Sequence, residues 1–326
     1  MKRFILLFLS FILLVGCGNK NKDVIKKFEK NINNLKSYRI QGELTVVRGD
    51  DTYIYNVTSA YKNTDYYRVS LINTVNGHEQ IILKNELGVY VVNPSINKSY
   101  KFESDWPNNN SGIYLPKIVL KDIKNDDSRV IKKTKNGYTI KTKVNYANNS
   151  NLVYQIVYLD KDYNITKVEV YNKNNQVLMK MNYTKLEKNV KFDKDYFSLK
   201  SNNENGTLEK STSKIEDIIY PMYLPVNTYL TNQEKIKTND GERVILNFDG
   251  DSSFMLVEET ISIPDELETN MVYGEPELIL DTVGLVTDYS VSWISNGVAY
   301  YIVSDDMNTE QMMSVASSIN VLAVGK

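Results

Sequence analysis

The sequence predicts an α+β protein: a strongly curved antiparallel β-sheet, a half-barrel with helices in its concavity, followed by a small C-terminal α+β domain. Three observations predict it. Apolar and polar residues alternate through most of 38–102 and 138–183, with turn residues between runs, and a period of two marks a half-buried strand. Two amphipathic helical stretches accompany these strands, and a long sheet with one apolar face needs such a cover. A polar stretch at 200–214 then separates this half from a second set of strands that ends in a helix.

Residues 18–22 read as a short polar tether. Asp23 can cap a helix running to about Leu35, with Ile25, Phe28, Ile32 and Leu35 on one face. Tyr38, Ile40, Leu44 and Val46 then alternate with Arg39, Gln41, Glu43 and Thr45, and Asp50-Asp51 turns the chain. Tyr53, Tyr55, Val57 and Tyr61 repeat the alternation, as do Tyr67, Val69 and Leu71 up to an Asn76-Gly77 hairpin signal. Residues 80–83, 88–92 and 99–102 read as further strands. Short turns between them predict a meander, with neighbours in chain order. The pattern breaks at Trp106-Pro107 and the polar run 108–111. Leu115, Ile118, Val119 and Ile123 fit a short amphipathic helix, and strands resume at 138–144, 152–159, 165–171 and 177–183.

Residues 200–214 lack apolar periodicity and read as a linker. Beyond it, 220–225 is an extended, proline-bracketed lead-in, and 243–248, 254–263, 285–294 and 298–303 read as strands, with a hairpin turn at Asn296-Gly297. Asn308 with Gln311 resembles a capping box opening a last helix, whose apolar face carries Met312, Val315, Ala316 and Ile319. The expected domains are therefore 23–199 and 215–326.

The N-terminus reads as a signal, not as fold. Lys2 and Arg3 are followed by an apolar run over 4–15, broken by Ser10 alone, and Leu14-Val15-Gly16-Cys17 has the order of a lipobox. The run of about twelve residues is short of the ~20 that a spanning helix needs. Gly16 is the small residue a signal peptidase requires, and Cys17 is the thiol that carries diacylglycerol. The competing account is an ordinary secretion signal with an incidental cysteine; the position of the only cysteine favours lipidation. The mature protein is thus expected to start at Cys17, after a 1–16 signal peptide. It is expected to sit on the extracytoplasmic face of the cell membrane, held by acyl chains that each add about 0.8 kcal/mol per buried CH₂.

Composition excludes several classes. The formal charge is −1, with lysines and acids mixed along the chain, so no basic stripe points to nucleic acid. Lipidation of Cys17 leaves no thiol for a disulfide or a cysteine metal cage, and the single histidine, His78, excludes two-histidine metal motifs. No cofactor is expected. There is no glycine-rich phosphate loop and no Ser/His/Asp arrangement, so an enzyme is not expected.

Residues 23–199 resemble the LolA/RseB superfamily of lipoprotein-handling and lipid-sensing envelope proteins. The features that carry the likeness are the lone N-terminal helix, the Leu35-Lys36-Ser37-Tyr38 lead-in, the meander and the Trp106-Pro107 break before a helix. Tyr158-Leu159-Asp160-Lys161, Thr166 to Tyr171 and Val177-Leu178-Met179-Lys180 look like the strand pair of Gram-positive LolA-like lipoproteins of sporulation and germination, of the GerS and YdcC kind. The region from Tyr220-Pro221 to Tyr301 and Ser314 to Ser318 looks like a small domain attached to such proteins and to some anti-sigma regulators. The resemblance implies curved sheets closed by helices around an apolar cavity. It also implies an envelope or cortex-remodelling protein as partner.

Trp106, Leu115, Ile118 and Val119 are the candidate cavity or partner contacts. Trp106 could gate the cavity; the plainer account is a rim residue packed under a helix. Tyr53, Tyr55, Tyr61, Tyr66 and Tyr67 could line an amphipathic groove; the plainer account is strand filling on the solvent side. His78 reads as a surface turn residue. Asp50-Asp51, Asp126-Asp127 and Asp305-Asp306 read as solvated turns rather than acid/base or metal sites, and Asp249-Gly250-Asp251 as a hairpin turn rather than a calcium loop. The expectation is a non-enzymatic, membrane-anchored lipoprotein that binds an apolar ligand or a partner protein. The alternative is an RseB-like regulator of a membrane anti-sigma factor.

Overall fold

The computed structural model describes residues 18–319, apart from 50, 64, 109, 147, 205–213, 240 and 280–281. The expected signal peptide and Cys17 lie outside the described residues.

Helix α1 (Gly18–Asn33) opens the chain. It begins before Asp23, so Asp23 stands inside the helix rather than at its cap. Six strands follow in a meander: β1 (Ser37–Arg48), β2 (Asp51–Lys62), β3 (Tyr66–Asn73), β4 (Glu79–Asn85), β5 (Gly88–Asn93) and β6 (Lys98–Glu103). After a cis Trp106–Pro107 peptide comes α2 (Pro116–Asn125). A second meander follows, with β7 (Val130–Thr134), β8 (Gly137–Lys143), β9 (Leu152–Leu159), β10 (Ile165–Asn172) and β11 (Val177–Lys188).

The strands on either side of the expected break form two meanders of one sheet. The first strand pairs antiparallel with the last, β1 with β11, and the order runs β6-β5-β4-β3-β2-β1-β11-β10-β9-β8-β7. The α2 segment takes the chain away from the β6 edge, so the second meander is laid down against the other side of β1. A bulge at Gln41/Gly42 bends this junction. Only glycine fits at Gly42, because a Cβ there would lie 2.2 Å from the Asn182 carbonyl oxygen.

The short helix α3 (Leu199–Asn203) covers the start of the expected linker, and both Asn202 and Asn203 are buried. The Asn202 side chain accepts from Arg68 Nε at 2.5 Å. The second sheet contains β12 (Thr228–Thr238), β13 (Gly241–Gly250), β14 (Phe254–Thr260), β16 (Glu275–Ile279), β17 (Thr282–Val286), β18 (Ser290–Ser295) and β19 (Val298–Val303). Its order is β12-β13-β14-β19-β18-β17-β16. Between β14 and β16, β15 (Glu268–Tyr273) crosses over and pairs in parallel with β6. The β6 edge would otherwise present unpaired backbone groups, and β15 satisfies them. The expected strand over 285–294 is broken by a turn: Thr287 Oγ1 accepts from the N–H groups of Tyr289 and Ser290. Helix α4 (Thr309–Ala316) closes the described chain behind the expected capping box, with Asn308 and Gln311 bonded reciprocally.

The concave side of the first sheet is packed with the chain's own residues. Phe28 and Ile32 of α1 and Ile118, Val119 and Ile123 of α2 meet Tyr38, Ile40, Leu44, Tyr55, Val57, Tyr61 and Tyr67 of the strands. Each fully buried side chain of this kind contributes roughly 1.5–3 kcal/mol. The tyrosines are therefore core, not solvent filling. Tyr38, Tyr61 and Tyr67 stack in series with centroids 5.4 and 5.1 Å apart, while Tyr53 packs on the cores of both sheets. Tyr66 points to the outer face and meets Phe197 edge-on. The second core gathers Val244, Leu246, Trp293 and Ile302 with Met312 and Val315 of α4.

Asp126 is a further departure from expectation. It is buried and staples the end of α2 to β8, accepting from Ser128 Oγ at 2.6 Å, Thr142 Oγ1 at 3.1 Å and the Lys143 N–H at 2.9 Å. Burial works to raise its pKa, but these donors outweigh it and hold the carboxyl at about 2. Asp51, Asp127, Asp305 and Asp306 are exposed.

Candidate functional site

Where β16 closes over one end of the concave face, β1, the loops around α2 and α4 converge on a cleft. Trp106 and Leu115 line it. Trp106 is buried, with its ring edge-on to Tyr67 at 6.0 Å. Leu115 is held at the start of α2, just before Pro116, which fits a first helical turn because its missing N–H would be unpaired there anyway. Ile118 and Val119 lie deeper, within the core under α2.

The polar members of the cleft were not foreseen. Glu277 on β16 keeps part of its stem exposed, but its carboxyl is enclosed. Its Oε1 accepts from Asn110 Nδ2 at 2.6 Å and Asn148 Nδ2 at 3.2 Å. Burial pushes its pKa up to about 7, against the pull of these donors and of Arg48. Arg48, at the end of β1, donates from Nη2 to the Leu278 carbonyl at 3.1 Å, and burial lowers its pKa. Its Nε and the Tyr146 hydroxyl are buried without a hydrogen-bond partner among the described residues. Beside them, burial raises Asp122 to about 6 although Ser111 Oγ and Gln155 Nε2 donate to it.

This arrangement ties the two sheets together by polar contacts but leaves little room. The cavity measures about 50 Å³. A space of that size takes a few waters, whereas roughly 150 Å³ is needed for one benzene. A second cavity of about 130 Å³ lies between the β6 edge and the second sheet, lined by Phe102, Val272 and Leu285 among others; it is ring-sized rather than chain-sized. The largest of these spaces is an open groove of about 700 Å³ that runs from Arg48 to the surface and is bordered mainly by polar residues such as Asn149, Asn172 and Glu310, outside the filled concave face. His78 borders a small depression with Gln80 and Asn93. Among the described residues no group of three or more His, Cys, Asp or Glu could hold a metal ion. No helix among them is long and apolar enough to cross a membrane.

The fold and cleft together define a two-sheet α+β protein whose curved sheet is filled by its own helices and closed at one end by a strand of the second sheet. The chain belongs to the sporulation protein YdcC-like family, whose pattern it matches over residues 1–197. It is 35% identical over 327 residues to sporulation protein YdcC of Bacillus subtilis (strain 168), a match covering 98% of this chain and 97% of that protein. Among solved structures, a chain of the Pseudomonas aeruginosa MucA/MucB complex matches 91% of this chain and 97% of its own length, at 13% identity and a TM-score of 0.33. A chain of the complex between the CwlD amidase of Clostridioides difficile and the GerS lipoprotein matches 51% of this chain and 94% of its own length, at 24% identity and a TM-score of 0.30.

Proposed function

We propose that this protein is an exported lipoprotein, anchored through Cys17, that serves sporulation by binding a partner protein at the cell envelope rather than by carrying a lipid. One observation carries the reading: the concave face is already filled. Trp106, Leu115, Ile118 and Val119 are all buried, and the space beside them is about 50 Å³. An acyl chain would have to displace α1 or α2, whose buried faces hold the sheet. The anchoring part rests on the lipobox, and the sporulation part on the family and on a relative of nearly the same length.

The test is native mass spectrometry with lipid extraction on the 18–326 chain purified from cells. A lipid-free, folded protein is expected. Stoichiometric lipid would overturn the reading in favour of a carrier or lipid sensor. A Cys17→Ala variant of the full chain should lose membrane retention; unchanged retention would sink the anchor. An RseB-like regulator of an anti-sigma factor is the second reading. It needs the whole chain as bait, because β15 of the C-terminal region is held by β6 of the first sheet.

A further inference from the structure

The mixing of lysines and acids along the chain does not hold over residues 128–159, which contain six basic side chains and no acid in a chain whose formal charge is −1. They form β7, β8 and β9, at the free edge of the first sheet. Alternation sends one set of side chains from β8–β11 to the outer face, and register aligns them in rows. Lys143 stands opposite Tyr154, and Tyr154 opposite Tyr171. In the next row Lys141 stands opposite Ile156, Ile156 opposite Glu169, and Glu169 opposite Lys180.

These side chains are pre-arranged. Tyr154 and Tyr171 stack at 4.8 Å, with Lys141 Nζ 3.7 Å above the Tyr154 ring. Lys167 Nζ sits 4.0 Å from the Tyr158 ring. The one carboxylate at the centre, Glu169, is engaged by Lys167 at 2.7 Å and by the hydroxyls of Tyr158 and Tyr171 at 2.7 and 2.9 Å. Lys141, Lys143 and Lys180 have no carboxylate in ion-pair range among the described residues. Nor does any buried apolar cluster among those residues lie over this half of the face.

We propose that the outer face of β7–β11 is a docking surface for an acidic segment of a partner protein. This rests on the partner-binding reading above and names the surface for it. The unmatched lysines supply charge complementarity, which sets partner choice and association rate. The stacked tyrosines supply rigid amphipathic contact at low entropy cost. The exposed β7 edge offers backbone groups to an added strand. A bilayer fits less well, because the middle of the face holds Glu169 and hydrogen-bonded tyrosines rather than side chains that insert among lipids.

The test uses the 18–326 chain and three probes: an end-blocked peptide alternating glutamate and valine, its glutamine counterpart, and vesicles of phosphatidylglycerol with phosphatidylcholine. The glutamate peptide should bind about tenfold more tightly than the glutamine one, and Lys141→Glu with Lys180→Glu should weaken it by about tenfold. Both lysines point outward, so the variant's circular dichroism and melting should match the parent. Equal binding of the two peptides, or no effect of the double variant, would overturn the proposal and leave the lysines as guards against edge pairing. Preference for vesicles, lost in the same variant, would also overturn it, in favour of a membrane contact. Neither result touches the partner-binding reading, which fails on co-purifying lipid instead.

Discussion

On β2–β5 the outer face of the first sheet carries Ala60, Ile81, Leu83, Tyr90 and Val92, all buried; on β8–β10 the same face carries Lys141, Tyr154, Tyr158 and Lys167, all at least partly exposed. The backbone pattern is the same in both places, with pleated antiparallel strands around β1. The first half is covered from within the chain. Residues 192–199 fold back across it, and Phe192, Tyr196 and Phe197 pack edge-on or tilted with centroids 4.5–5.2 Å apart. Arg68 and Asn85 pin that cover, through Asn202 Oδ1 and the Phe197 carbonyl. The second half has no such cover among the described residues and keeps its charges paired inward or facing solvent. The comparison teaches that an apolar outer face obliges the chain to supply its own lid, whereas a tyrosine–lysine face can stay open for another molecule.

The comparison breaks most readily at the lid. Phe197→Ala should cost roughly 3–5 kcal/mol in denaturant unfolding, and a loss under about 1 kcal/mol would show that the lid does not hold the covered half. The next largest effect concerns pH. Glu277 has its folded pKa raised from 4.5 to about 7, so its contribution is fully present below 4.5 and is lost as pH rises through 7. The loss is up to about 3 kcal/mol. Glu277→Gln should flatten that slope in a pH series of melting curves; an unchanged slope would place it on other groups, such as Glu258, which burial also raises to about 7.

On the open half the sign reverses. Burial pulls Glu169 upward, but Lys167, Tyr158 and Tyr171 outweigh it and lower its pKa. Its stabilisation is therefore present above the ordinary carboxylate range and lost as pH falls through its lowered value. Glu169→Gln should remove this smaller acid-side loss, again read from melting against pH. The smallest effect is Lys180→Glu alone, which should move stability by no more than about 0.5 kcal/mol. A larger drop would mean that the open face is part of the fold rather than a free surface.

Much of the fold was legible in the sequence because it rests on local signals. Alternation located β1–β6 and β8–β11, and the Asn308/Gln311 pair located α4. The tyrosines were less so: alternation shows that Tyr55, Tyr61 and Tyr67 share a face with Val57 and Val69, but not that α1 fills that side. β7 was missed because it is five mostly exposed residues without apolar alternation. Glu277 was missed because Glu275 and Glu277 alternate with Pro276 and Leu278, which reads as a polar outward edge. The Glu277 carboxyl is enclosed by Asn110 and Asn148, more than a hundred residues away.

The sequence by itself determined β1–β6, β8–β11, the two covering helices and the lipobox-like order of residues 14–17, because period, capping and composition act over a few residues. The pairing of β1 with β11, the crossing of β15 to β6, the filled concavity and the burial of Glu277 were decided only by tertiary structure. Each depends on which distant surfaces meet once unpaired backbone groups and apolar faces must all be satisfied together.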